Sequence, residues 1–144
     1  MKKYTVELTE AQLSTISVAC EILARLGIGQ WKDAFDHLPL VKDNKWEDYW
    51  SDMDAIGMII SKYTERGGSS AGITSNDTSN SSKIAWDLYQ SFRQVVSWEY
   101  AIKQGWVESR ESSRNWDEML GVSYDDPLKT STEPLAKIMK QDEV

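Results

Sequence analysis

At 144 residues, with 40% hydrophobic content, the chain has the size and apolar content of one globular domain. Its net charge is -7, from 16 Lys+Arg against 23 Asp+Glu, and it has no basic run, which weighs against duplex nucleic acid held through its phosphates. No apolar stretch reaches the roughly 20 residues of a membrane span, no signal peptide is expected, and a cytoplasmic location follows as the expectation. One cysteine, Cys20, rules out an internal disulfide framework, and one histidine, His37, leaves little for metal binding or His-based catalysis.

Residues 3–8 alternate apolar and polar side chains and predict a short strand, with a second strand near Val122 and Tyr124 as its expected partner. Thr9 and Gln12 then form a capping box, and Leu8 and Leu13 stand at the spacing of a hydrophobic staple. Leu13, Ile16, Cys20 and Leu23 follow at helical spacing, joined by Ala19 and Leu26, with Gly27 as the expected stop. A short second helix is predicted over 30–38, ended by Pro39.

Asn44 and Glu47 repeat the capping pattern before a stripe of Trp46, Trp50, Met53, Ile56 or Gly57, and Ile60, flanked by Tyr49 and Tyr63. Arg66 and Gly67 suit the end of that helix. Residues 67–82 are rich in Gly, Ser and Asn and read as a loop, either a linker or a lid.

A long helix is predicted over 82–104, closed by Gly105. Ile84, Ala85, Leu88, Phe92, Val95, Val96 and Ile102 gather on one side; Trp86, Tyr89, Arg93 and Tyr100 gather on another. A surface helix normally sets simple charge opposite its core, and this one sets rings there, so it should be covered on both sides. A neighbouring helix, another subunit or a ligand would each serve, and a homo-oligomer, with a dimer as the simplest symmetry, is expected. Residues 106–120 are polar around Trp106 and Trp116, and the tail over 121–144 carries Pro127 and Pro134, which favour an extended path. No fixed-period repeat is present. The fold class is therefore mainly α, one domain over 1–144 of about four helices, with a two-stranded β element from the termini.

No catalytic or metal-binding constellation stands out, and no cofactor is implied. Cys20 lies on an apolar stripe, where an inert thiol is expected. The carboxylate pairs Asp52 and Asp54, and Asp125 and Asp126, sit in no recognisable catalytic frame and read as solvated surface. Arg110 and Arg114, four apart, read as surface ion-pairing residues. The chain carries 7 Trp and 6 Tyr, many amphipathic rings for its size. Trp86, Tyr89 and Arg93 share one helix face and combine stacking platforms with a planar fork suited to phosphate or carboxylate. A packing face with Arg93 paired to an acid is the competing reading.

Several blocks resemble a group of small, uncharacterised bacteriophage proteins. They are Leu8-Thr9-Glu10 with Gln12-Leu13; Arg25-Leu26 with Ile28-Gly29-Gln30; Ser70-Ala71-Gly72-Ile73; Ile84-Ala85-Trp86-Asp87-Leu88-Tyr89-Gln90 with Arg93; and Asp126-Pro127-Leu128-Lys129-Thr130-Ser131 with Glu133-Pro134-Leu135. The resemblance covers about half the chain and implies a phage setting in a host cytoplasm more firmly than a chemistry. In that setting the residues suit a non-enzymatic sponge for a nucleotide immune messenger, such as a cyclic oligonucleotide or a cyclic ADP-ribose derivative. The expected ligand residues are Trp86, Tyr89 and Arg93, with Gln30 and Trp31 after the first helix, Gly72 in a closing loop, and Lys129, Thr130 and Ser131 as phosphate donors. The alternative is an acidic, ring-rich inhibitor of a host protein, nucleic-acid mimicry included. A carboxylate-based hydrolase ranks below both.

Overall fold

The computed structural model describes residues 2–32, 46–63, 72–109 and 126–140. It is mainly helical. Among the described residues three helices run in the order α1 (Glu10–Gly27), α2 (Trp46–Ser61) and α3 (Asn80–Lys103).

α1 starts where the capping box places it. The Thr9 side chain accepts from the Gln12 backbone N–H at 3.2 Å, and the Thr9 N–H donates to the Gln12 side-chain carbonyl at 2.9 Å. α1 ends at Gly27 as expected, but the capping glycine is Gly29. Gly29 takes the left-handed conformation (φ 84°). The Gly29 N–H then donates to the Leu26 carbonyl at 3.2 Å and the Gln30 N–H to the Arg25 carbonyl at 2.9 Å, the Schellman pattern. α3 ends the same way: Gly105 has φ 73°, its N–H reaches the Ile102 carbonyl, and the Trp106 N–H reaches the Ala101 carbonyl.

Gly27 has a different task. A β-carbon built there would lie 1.8 Å from Ser82 Oγ, so the end of α1 crosses the start of α3 at closest approach. Arg25 next meets Trp86, and Glu21 stands near Tyr89, so the two helices run antiparallel. Among the described residues they are the one pair of helices packed backbone against backbone. α1 turns Ser17 and Ala24 into the contact, with the capping Ile28 also buried, rather than the stripe of Ile16 and Leu23. Small side chains let the axes approach; Ile16 and Leu23 stay at the open edge.

α3 is covered on more than one side, as its rings suggest. α1 lies along Ser82, Ala85 and Tyr89, while the chain after residue 126 lies along the face of Asn80, Lys83, Asp87 and Gln94. Thr130 and Ser131 clasp Asp87, Thr132 Oγ1 reaches the Asn80 side chain at 3.3 Å, and Lys140 pairs with Glu99 at 3.0 Å. The apolar core sits at the far end, where Trp98, Ala101 and Val107 are buried and Ile102 and Trp106 pack on them. α2 is tied to the residues after α1 by the Lys32–Asp54 ion pair, with the Lys32 ammonium 5.9 Å from the Trp50 ring centroid.

Some expectations change. Residues 3–8 carry no strand, because no second strand lies beside them among the described residues, and Val122 and Tyr124 lie outside those residues. Of the helix expected over 30–38, Gln30 is not helical, Trp31 and Lys32 are, and residues 33–38 lie outside the described residues. So do Asn44, Arg66, Gly67, Arg110, Arg114 and Trp116. Within the expected loop, Gly72 to Ser79 form turns that lead into α3, which starts at Asn80. Residues 126–140 have no helix or strand.

Candidate ligand-binding site

The seam between α1 and α3 gathers a ring-and-guanidinium cluster. Trp86 and Tyr89 lie three apart on α3, neighbours on one face, with ring centroids 5.3 Å apart and planes tilted by 52°. Arg93, one turn on, donates to the Tyr89 hydroxyl at 2.9 Å and stands 5.6 Å from the Tyr89 ring centroid. Arg93 pairs with no carboxylate among the described residues, so the acid-paired packing face finds no counterpart there.

The other wall comes from α1. The Arg25 guanidinium lies 6.0 Å from the Trp86 ring centroid, within reach of a cation–π contact. It is oriented on both sides: Nε donates to Glu21 at 2.8 Å and Nη1 donates to the Gln30 side-chain carbonyl at 2.8 Å. Two arginines thus flank a Trp–Tyr pair, one balanced by Glu21 and one that meets no acid among the described residues. Trp86 and Arg93 are half-buried, so the cluster is neither bare surface nor sealed core. Burial raises the Tyr89 phenol above its ordinary value; the adjacent Arg93 charge opposes that rise and Glu21 adds to it. The phenol therefore stays neutral at physiological pH and keeps a hydroxyl that accepts from Arg93.

The nine candidate residues fall into four sets. Trp86, Tyr89, Arg93 and Gln30 come together, Gln30 through Arg25 rather than through the α3 rings. Trp31 is half-buried one residue further on. Gly72 is exposed, and its carbonyl accepts from the Ser75 N–H at 3.0 Å and the Thr78 hydroxyl at 2.9 Å, so it belongs to the lead-in to α3. Lys129, Thr130 and Ser131 lie on the Asp87 face, one helical step around from the rings. The Thr130 and Ser131 hydroxyls donate to Asp87 at 2.7 and 2.6 Å, and their backbone N–H groups donate at 2.8 and 2.9 Å. A phosphate would have to displace that carboxylate to engage them.

Asp87 is 4% exposed. Burial pushes its carboxyl upward, but the hydrogen bonds from Ser131 and Thr130 outweigh burial and hold it below its ordinary value. Sequence reasoning missed this clasp and the role of Arg25. An acid between Trp86 and Leu88, in an otherwise apolar run, was the signal for Asp87. An arginine four residues after Glu21 in the last turn of α1 was the signal for Arg25. Among the described residues no group of His, Cys, Asp and Glu is placed to hold a metal, and no helix is long and apolar enough to cross a membrane. Comparison of the chain with protein-family models, curated proteins and solved structures gives no match.

Proposed function

We propose that this chain is a non-enzymatic binding protein of bacteriophage type that sequesters a small anionic nucleotide, a cyclic oligonucleotide or cyclic ADP-ribose derivative acting as a host immune messenger. The observation that carries the reading is the Trp86–Tyr89 pair set between Arg25 and Arg93. A base stacked on such rings gains about 1–3 kcal/mol, and the Arg93 guanidinium, which meets no acid among the described residues, supplies a fork for phosphate. The resemblance to phage proteins supplies the setting.

The test is a thermal-shift screen of the full chain against cyclic dinucleotides, cyclic trinucleotides and cyclic ADP-ribose. A binder at 100 times its dissociation constant adds about 2.7 kcal/mol of stability. Arg93→Ala should abolish the shift while leaving the unliganded Tm close to native. Ligand recovered after heat denaturation should be chemically unchanged; a cleaved product would make the protein an enzyme and end the sequestration reading. No shift with any of these nucleotides, together with capture of one defined host protein, would favour the inhibitor reading instead.

A further inference from the structure

The most apolar stripe of α1 is only partly covered: Leu13 and Cys20 are half-buried, while Ile16 and Leu23 stay open. At 100° per residue, Leu13, Ile16, Cys20 and Leu23 centre about 70° around the helix from Ser17 and Ala24. Ile16 and Leu23 are exposed as a result, Leu23 by 53%. The alternating three- and four-residue spacing of this stripe is that of a seam made with another helix. Ahead of α1 the same kind of surface continues on residues 2–8, which form no backbone hydrogen bonds among the described residues. There Tyr4 is 85% and Val6 70% exposed, and Leu8 is exposed as well.

An extended segment with alternating side chains needs a strand beside it, and this segment is complementary to itself. Antiparallel pairing of two copies about Thr5 sets Lys3 of each against Glu7 of the other, and Thr5 against Thr5, on one face. On the other face it sets Tyr4 against Val6. A parallel pairing would oppose Lys3 to Lys3, and a slip of one residue would oppose Glu7 to Tyr4, so charge and polarity select one register. A two-stranded ribbon is marginal in water without apolar cover. The open stripe of α1 provides it: a helix of 18 residues spans about 27 Å and a six-residue strand about 20 Å, so one α1 covers the ribbon's length. We propose that residues 3–8 and the open stripe of α1 form an isologous interface with a second copy of this chain, an antiparallel ribbon in the Lys3–Glu7 register covered by the two α1 helices.

Sedimentation velocity on the full chain tests this. The native protein should sediment as a dimer or a multiple of it. Leu23→Lys, at a position already open to water, should give monomers with an unchanged helical circular dichroism spectrum. Lys3→Glu turns both symmetry-related charge pairs into like-charge pairs and should raise the dimer dissociation constant about tenfold. Lys3→Glu combined with Glu7→Lys should restore native affinity, because the reversed charges still face each other. A native chain that stays monomeric at every concentration would overturn the proposal. So would a dimer that both single variants leave intact, or a double variant as weak as Lys3→Glu alone.

Discussion

α1 and α3 lie side by side and treat their side chains in opposite ways. α1 leaves Ile16 and Leu23 open and buries Ser17 and Ala24; α3 buries Asp87, Ser82, Ser91 and Ser97 among its core positions. The difference comes from what each face meets. Where two helix backbones cross closely, at Gly27 and Ser82, volume decides and small residues win. Where a chain without regular structure lies on a helix, its backbone N–H groups need acceptors, and a buried carboxylate supplies four bonds' worth. Apolar pattern alone describes only the third kind of contact, the Trp98, Ala101 and Val107 cluster.

Breaking the polar half of this contrast should have the largest effect. Asp87→Ala strands the donors of Thr130 and Ser131 and should cost about 3 kcal/mol in a denaturant titration, with residues 129–133 newly open to proteolysis. Asp87→Asn should cost less and change the acid response. A carboxylate held below its ordinary value stabilises the fold fully above its unfolded pKa of roughly 3.9, and that contribution fades as pH falls through the lower folded value. Stability should therefore drop for the native chain below about pH 4, and the Asp87→Asn variant should lack that part of the drop.

The close crossing is the next target. Gly27→Val places its β-carbon inside Ser82 and should cost about 2 kcal/mol, read as a fall in Tm. Ser82→Gly combined with Gly27→Ala should recover part of that loss, since the clash is with the Ser82 side chain; equal instability of Gly27→Ala with and without Ser82→Gly would show that the contact is not tight. Thr9→Ala should have the smallest effect, about 1 kcal/mol, because it removes one exposed cap and leaves both packed faces alone.

The local signals in this chain were legible from residue order. Thr9 with Gln12 started α1, and Gly105 ended the long helix, because caps depend on a few neighbouring side chains and on one glycine's freedom at positive φ. Trp86, Tyr89 and Arg93 share a face for an equally local reason, the 3.6-residue turn. Tertiary structure alone decided the rest. It set the left-handed capping glycine at Gly29 and placed Gly27, the last helical residue, where Ser82 passes. It brought Arg25 over Trp86 and gave Thr130 and Ser131 to Asp87 across more than forty residues of chain. Those pairings depend on which surfaces meet, and a pattern of apolar and polar residues along one strand of chain carries no record of its neighbour.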